Sequence, residues 1–182
     1  LVQVWLNGGT GSFSKQSTTY TVGSLPVSMI SGDWNCDGQQ DLAVSNSGNS
    51  TLSLIYGKGT GDFDIPVTIS SGRGPGTLAA ADFDDDNKMD FVVGHNFLVT
   101  TSGASLLTGD FSLTLSDATS STGYASPTSF AATLSKDGAS PAAFVISDVD
   151  NDSKLDVLFT LPVSKKLVVL SGKQYSGKLS CP

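Results

Sequence analysis

One pattern of oxygen-bearing side chains occurs three times in this chain and limits what it can fold into. Each copy is a nine-residue segment with Asp or Asn at its first, third, fifth and ninth positions, and the copies start at Asp33, Asp82 and Asp148. Twelve of the 17 acidic residues lie in these segments, and all 17 are Asp. Because Asp favours turns and caps over helix interiors, the pattern indicates tight loops and argues against a helical bundle.

A short glycine turn repeats in step with the acidic segments. It reads Thr10-Gly11-Ser12-Phe13, Thr60-Gly61-Asp62-Phe63, Thr108-Gly109-Asp110-Phe111 and, in weaker form, Ser176-Gly177-Lys178-Leu179. The last three turns start 27, 26 and 28 residues after the start of an acidic segment. This near-constant offset predicts that both features belong to one structural unit that repeats along the chain.

Short apolar segments fill the space between these loops. In the first full repeat they are 27–31 and 42–44, on either side of the acidic segment, and 52–56 and 66–69, on either side of the glycine turn. Runs of this length, bounded by Gly, Asn, Asp and Ser, are typical of β-strands. Four strands in a repeat of about 49 residues are typical of a β-propeller blade. The predicted fold class is therefore all-β, built from propeller blades of four antiparallel strands.

The repeats divide the chain into one domain of about three and a quarter blades. The expected parts are 1–25 as a partial blade, 26–75 as a blade, 76–140 as a blade with an insertion at 112–141, and 142–182 as a partial blade. We expect the insertion to be an outer hairpin, a mobile loop or a binding loop. Closed propellers have about four to eight blades, so we expect an incomplete ring. Either a longer chain or another copy would complete it.

The acidic segments predict calcium sites. Alternate residues of a tight loop can converge on one centre, where a backbone carbonyl at the seventh position adds a ligand. Calcium takes about six to eight oxygen ligands. Zinc is disfavoured by the single His and the lack of a Cys cluster, and magnesium prefers fewer protein ligands. We therefore expect up to three Ca²⁺ ions, the alternative being solvated polar turns. The expected ligands are Asp33, Asn35, Asp37, Gln39 and Asp41; Asp82, Asp84, Asp86, Lys88 and Asp90; and Asp148, Asp150, Asp152, Lys154 and Asp156.

An EF-hand is excluded by two features of the same segments. The twelfth position of an EF-hand loop carries a bidentate Glu, whereas Val44, Val93 and Phe159 stand there in this chain. The flanking segments are also predicted strands rather than helices. The D-x-[DN]-x-D-G-x-x-D loop and the G-x-G-x-F turn instead resemble FG-GAP/VCBS repeats, the blades of integrin-α-like propellers. This resemblance implies that each acidic loop joins the first two strands of a blade and holds Ca²⁺.

Two departures from the repeat pattern are visible. Gly38 occupies the sixth position of the first loop, where a sharp turn is needed, but Asn87 and Ser153 replace it in the other loops. Asn tolerates positive φ better than Ser does. The third period is also stretched, with 66 residues between Asp82 and Asp148.

The resemblance favours an extracellular or cell-surface binding module over an enzyme. We expect a structural, adhesive or protein-binding role, with a glycan-binding lectin as the alternative. The aromatic residues that could stack on a sugar are Trp5, Trp34, Tyr56 and Tyr124, although strand positions favour packing between blades. The chain has no Glu, and its single His, His95, is interpreted as a polar residue at the end of a strand.

Charge and hydropathy exclude two classes of partner. A formal net charge of −7 with a single Arg argues against nucleic acid, and no apolar run approaches the ~20 residues of a membrane helix. The expected partners are a protein or glycan ligand and either a second copy or the remainder of a longer chain. Asn49-Ser50-Thr51 matches a glycosylation signal. Cys36 and Cys181 are interpreted as two unrelated thiols, with a disulfide between them as the alternative.

Overall fold

A computed structural model describes residues 1–95, 97–101, 104–108, 111–130, 141–163 and 165–172. These residues form β-strands joined by turns, and they include no helix long and apolar enough to cross a membrane. The strands are β1 (Val2–Asn7), β2 (Phe13–Tyr20), β3 (Pro26–Gly32), β4 (Asp41–Asn46), β5 (Thr51–Ile55), β6 (Val67–Ser70), β7 (Pro75–Ala81), β8 (Asp90–His95), β9 (Phe97–Thr101), β10 (Ala104–Thr108), β11 (Phe111–Thr114), β12 (Thr128–Phe130), β13 (Phe144–Ser147), β14 (Asp156–Leu161) and β15 (Lys166–Leu170). The predicted all-β class is confirmed.

The strands form antiparallel sheets that follow one another along the chain. Two sheets have four strands, in the orders β3-β4-β5-β6 and β12-β11-β8-β7. The β13-β14-β15 sheet has three strands, and the β1-β2 and β9-β10 sheets have two each. Four-stranded antiparallel sheets flanked by incomplete ones are the expected incomplete series of propeller blades. The boundaries given above for each blade remain predictions.

The third period contains its extra residues in a different place from the one predicted. Strand β11, which starts at Phe111, pairs with β8 as the third strand of its sheet. The turn at 108–111 therefore precedes the third strand and does not join the last two. The extra chain before it includes the hairpin β9-β10, whereas the predicted insertion at 112–141 contains β11 and β12. Residues 131–140 and the weak turn at 176–179 lie outside the described residues.

Among the residues that the structure describes, the core consists of three apolar clusters, each between consecutive sheets. One lies between β1-β2 and the next sheet and includes Tyr20, Val44 and Ile55. The largest lies between the two four-stranded sheets, where Leu54 and Phe91 are fully buried. The third joins the second four-stranded sheet to β13-β14-β15. Burial of apolar surface thus holds each sheet to its neighbours.

Candidate metal centre

The three acidic loops occupy the same place in three sheets. They join β3 to β4, β7 to β8 and β13 to β14, and in each case these are adjacent antiparallel strands. The first residue of each loop follows the first strand, and its ninth residue begins the second. The expectation that each acidic loop joins the first two strands of a blade is therefore confirmed.

The first carboxylate of each loop organises the backbone of the turn. In the second loop, Asp82 Oδ1 accepts a hydrogen bond from Asp86 N at 3.1 Å, and its Oδ2 accepts one from Asn87 N at 2.9 Å. Asp33 accepts the equivalent pair at 3.1 and 2.8 Å, and Asp148 does so at 3.2 and 2.9 Å. The three loops therefore share one fold, set by the same two backbone N–H groups.

The ninth carboxylate connects each loop to the turn that follows the third strand of its sheet. Asp90 Oδ2 accepts a hydrogen bond from Phe83 N at 2.8 Å, and its Oδ1 accepts one from Ser116 N at 2.7 Å. Asp41 accepts hydrogen bonds from Trp34 N and Gly57 N at 2.8 and 2.7 Å. Asp156 accepts them from Val149 N and Gly172 N, both at 2.9 Å. The side chains of all three ninth residues are fully buried. The ninth position is thus a structural tie between the loop and the residues that follow the third strand.

Two residues in each loop adopt a left-handed backbone. The sixth residue does so in all three loops, with φ of 81° for Gly38, 65° for Asn87 and 67° for Ser153. The fourth residue is also left-handed, with φ of 61° for Cys36, 64° for Asp85 and 60° for Asn151. Because φ > 0 is unfavourable for residues with a Cβ, the replacements for Gly38 carry backbone strain that other interactions of the loop must offset.

Acidic side chains converge in the second and third loops. Oxygen atoms of Asp82, Asp84 and Asp86 lie within 4.8 Å of one another, and so do those of Asp148, Asp150 and Asp156. In the second loop Asp84 Oδ1 is buried and lacks a hydrogen-bond partner among the described residues. A buried carboxylate oxygen without a partner is costly, and a divalent cation would satisfy it.

The fifth and seventh positions form a local network that differs between loops. The seventh residue donates its backbone N–H to the fifth carboxylate, at 2.8 Å from both Gln39 and Lys88 and at 2.9 Å from Lys154. The ammonium groups of Lys88 and Lys154 also lie 3.4 and 3.6 Å from the fifth carboxylates. In the first loop Asn35 Nδ2 donates to Asp37 Oδ2 at 2.9 Å. The carbonyls of the seventh residues remain predicted ligands.

The electrostatics of the second loop reflect crowded carboxylates. Burial raises the pKa of Asp90 to about 7. Burial also raises the pKa of Asp84, and the neighbouring charge of Asp86 raises it further. For Asp86 itself burial works in the same direction, but hydrogen bonds from Ser116 Oγ and from Lys88 lower the pKa overall. A bound cation would favour the ionised form of every carboxylate in this group.

His95 and Ser112 form a buried pair outside the loops. Ser112 Oγ donates to the carbonyl of Ser71 at 3.0 Å, so the His95 Nε2 at 2.9 Å must be the donor to Ser112 Oγ. A ring nitrogen that donates its proton cannot activate a hydroxyl as a general base. The pair therefore links the end of β8 to neighbouring strands, in agreement with the interpretation of His95 as a polar residue at a strand end.

The aromatic residues considered for sugar binding are divided by their exposure. Trp34 and Tyr124 are buried and pack on Phe91, with ring centroids 5.3 and 5.5 Å apart. Tyr56 packs on the same cluster. Trp5 is 55% exposed. Three of the four candidates are therefore part of the core between blades.

The interpretation of Cys36 as a free thiol is wrong. Cys36 is disulfide-bonded, and the other cysteine of the chain, Cys181, lies outside the described residues. Cys36 Sγ also lies 3.4 Å from the carbonyl oxygen of Asn87 in the second acidic loop. A disulfide sulfur has no proton to donate, so this is a packing contact, and it brings the first two acidic loops side by side.

Asn49, in the glycosylation signal, is exposed in the turn between β4 and β5. Its Oδ1 accepts a hydrogen bond from Ser24 N at 3.2 Å. Glycosylation at this residue remains a prediction.

Comparison with protein families identifies the repeat. The family model of the FG-GAP-like repeat matches residues 33–93, which run from the start of the first acidic loop through most of β8. This segment is similar to the FG-GAP-like repeat, and the resemblance stated from the sequence is confirmed. The match spans about a third of the chain. No curated protein is significantly similar to the chain.

Proposed function

We propose that this chain is a calcium-binding propeller module that acts outside the cell as a structural or binding unit and not as an enzyme. Calcium would bind in the acidic loops and replace carboxylate repulsion by coordination. The bound ions would hold the loops rigid and leave the remaining surfaces of the blades for contact with a protein or a glycan.

The buried, unpartnered Asp84 Oδ1 is the observation that carries this proposal. The carboxyl group that carries it belongs to a cluster in which one oxygen each of Asp82, Asp84 and Asp86 lie within 4.8 Å of one another. Each carboxylate oxygen has two lone pairs, so the hydrogen bonds from the backbone leave acceptor capacity for an ion. Hard oxygen ligands of this kind suit Ca²⁺. In the third loop Asp148, Asp150 and Asp156 offer a similar group.

An extracellular location is supported by the chemistry of Cys36. Disulfides persist in oxidising compartments and are rare in the cytosol, and Cys36 is disulfide-bonded. Calcium sites of extracellular modules bind with dissociation constants of roughly 10⁻⁴ to 10⁻³ M, which suits calcium levels outside cells. FG-GAP-like repeats are also typical of extracellular proteins.

The proposal predicts opposite effects of calcium and chelator on one variant. In chelator, Asp84→Asn should unfold at a temperature equal to or above that of the wild type, because it removes a buried charge next to other charges. In saturating calcium it should fall below the wild type, because a neutral amide oxygen, like that of Asn35 in the first loop, attracts the cation less strongly than a carboxylate. Saturation at about 100 times the dissociation constant stabilises a single site by about 2.7 kcal/mol. Thermal unfolding and calorimetric titration measure both effects.

Asp85→Asn is the matched control. Asp85 lies beside Asp84 in the same loop, carries the same charge and is exposed, but it is not among the predicted ligands. Its substitution should leave the calcium-dependent rise in melting temperature close to that of the wild type. Equal losses in both variants would point to a general effect of charge, and an absence of any calcium effect on the wild type would refute calcium binding.

A further inference from the structure

The turn after the third strand lies against the acidic loop in three of the sheets. Its backbone contact with the ninth carboxylate is the same each time, through the N–H groups of Gly57, Ser116 and Gly172. These three residues therefore occupy equivalent positions. The side chains at this turn nevertheless differ between the sheets, and so does their contact with the acidic loop.

In the second loop a side chain of this turn also binds a carboxylate. Ser116 Oγ donates a hydrogen bond to Asp86 Oδ2 at 2.7 Å, across 30 residues of sequence. Because Ser116 is only 9% exposed, the bond is partly shielded from water, which strengthens it. Asp86 belongs to the group whose oxygens converge with those of Asp82 and Asp84. The backbone bond from the seventh residue to the fifth carboxylate occurs in all three loops, so the serine hydroxyl is what distinguishes this one.

The third loop has a weaker contact of the same kind, made by the residue before Gly172. Ser171 Oγ donates to Asp150 Oδ2 at 3.2 Å, and Asp150 converges with Asp148 and Asp156. Ser171 is exposed and its bond is longer than that of Ser116, so water can replace it more easily. In both loops where three carboxylates converge, a serine of this turn thus holds one of them.

The first loop has neither serine at its turn. Gly57 stands in the position of Ser116, and Tyr56, in the position of Ser171, packs on the central apolar cluster. A Cβ on Gly57 would overlap the carbonyl oxygen of Gln40, so this turn has no room for a serine. Among the described residues, the acidic side chains of the first loop do not form a converging group of three.

A carboxylate that is already held in place binds an ion more tightly than a mobile one. An Asp side chain loses rotamer freedom when it coordinates, and a hydrogen bond that fixes its orientation beforehand lowers this cost. Each carboxylate oxygen has two lone pairs, so the bond from Ser116 leaves Asp86 Oδ2 able to bind a cation. Asp84 Oδ1, in the same group, is buried and lacks a partner among the described residues. The second loop therefore combines an unsatisfied oxygen with a fixed neighbouring ligand.

We propose that Ser116 is a positioning residue of the second loop and makes it the tightest of three calcium sites, followed by the third loop and then the first. The inference rests on the proposed calcium binding and adds to it the contact that grades the sites. Residues that orient metal ligands typically contribute about 10- to 100-fold to metal affinity.

The sixth residue of each loop provides an equivalent probe of binding. The N–H groups of Gly38, Asn87 and Ser153 all donate to the first carboxylate, so a calcium titration followed by amide NMR reports one affinity for each loop. In the wild type, Asn87 should respond at the lowest calcium concentration and Gly38 at the highest. In Ser116→Ala the affinity reported by Asn87 should fall about tenfold, while those reported by Gly38 and Ser153 stay close to the wild type.

Two further variants separate positioning from a general loss of stability. Ser120→Ala is the matched control, because the Ser120 hydroxyl lies after the same strand but bonds Thr122 Oγ1, at 3.0 Å. It should leave all three affinities unchanged, and its melting temperature in chelator should match that of Ser116→Ala. Ser116→Thr keeps a hydroxyl and should restore most of the affinity. A merely structural role of Ser116 would instead lower the stability in chelator and all three affinities together.

The outcomes separate this inference from calcium binding itself. The inference is overturned, with calcium binding intact, if Asn87 reports the same affinity in Ser116→Ala as in the wild type or if another loop of the wild type responds first. A wild type whose amide signals do not respond to calcium in any loop would overturn both the inference and the proposed function.

Discussion

The ninth Asp of each loop has a structural role that differs from that of the other carboxylates. Both of its oxygens accept backbone N–H groups, one inside the loop and one after the third strand of the sheet. In the second loop the first, third and fifth carboxylates converge, whereas in the third loop Asp156 itself joins Asp148 and Asp150. The ninth carboxylate therefore stabilises the fold in every loop and in the third loop is also close enough to share an ion.

Asp156→Asn should destabilise the chain even without calcium. An amide nitrogen cannot accept a hydrogen bond, so the N–H of either Val149 or Gly172 would lose its partner. Both hydrogen bonds are partly buried, so the loss of either one is unfavourable, and denaturant unfolding in chelator should show a lower free energy of unfolding. Asp150→Asn in the same loop is the control, because Asp150 is exposed and should change stability in chelator much less. Equal losses of stability in the two variants would mean that the hydrogen bonds of Asp156 have no particular role in holding the loop to its sheet.

Reduction should destabilise the chain through Cys36. A disulfide typically contributes about 2 to 4 kcal/mol, so a reductant should lower the melting temperature of the wild type. Cys36→Ser should start from the lowered value and should not respond to the reductant. If the denatured, unreduced protein reacts with a thiol alkylating reagent at Cys36, the disulfide is absent and the prediction fails.

Sequence reasoning found the acidic loops but missed the hydrogen bonds that hold them in place. The recurrence of Asp at fixed positions was enough to place the loops and to separate them from EF-hands. The partners of the ninth carboxylate are backbone N–H groups of Gly57, Ser116 and Gly172, and a backbone donor does not require a particular residue type. The left-handed fourth position is likewise hidden in the first loop, where Cys36 stands in place of the Asp85 and Asn151 of the other two loops.

At the scale of elements, the structure differs from the sequence prediction in the position of one glycine turn and in one additional hairpin, β9-β10. Phe63 forms an isolated bridge to Gly57 just before β6, and Tyr124 forms the same bridge to Ser116 just before β12. The true equivalent of the turn at 60–63 is therefore the turn that ends at Tyr124. Residues 108–111 match the glycine-turn motif more closely than the equivalent turn does, because the equivalent turn ends in Tyr124 and not in Phe. A proline three residues after each aromatic, at 66 and 127, was the signal that could have identified it.

The hairpin β9-β10 should be dispensable for folding. Its two strands pair with each other. Strands β8 and β11, on either side of the hairpin in the chain, pair directly, with Gly94 opposite Phe111. Removal of residues 97–108 would join Asn96 to Gly109, and Asn-Gly is a favoured two-residue hairpin turn. We expect a shortened chain whose melting temperature lies close to that of the wild type.

Val92→Asp provides the reference for a broken sheet. Val92 lies in β8 and is 1% exposed, so a buried charge there should abolish cooperative unfolding. If the shortened chain behaves like Val92→Asp, the hairpin is part of the core and the prediction is wrong.

For the whole molecule, stability should decrease from the middle sheet toward the ends. The apolar clusters join consecutive sheets, so the sheet that contains β8 is covered on both faces, and all six residues of β8 are buried. Structures built from stacked units often open from their ends. Hydrogen exchange measured by mass spectrometry should be slowest for β8 and fastest for β1-β2. The expectation fails if β1-β2 is protected as strongly as β8 in dilute, monomeric protein.

The hairpin β9-β10 leaves its sheet at the end opposite to the acidic loops. The ninth carboxylates bind the turns after the third strands, so loops and turns together form one rim, while the link between second and third strands lies at the other. A change of length there leaves all the hydrogen bonds of the acidic loops in place. The molecule therefore has one rim with a repeated hydrogen-bond geometry and one rim where the connections can differ in length, and foreign peptide loops grafted between β4 and β5 or between β8 and β11 should be tolerated without loss of the geometry of the acidic loops.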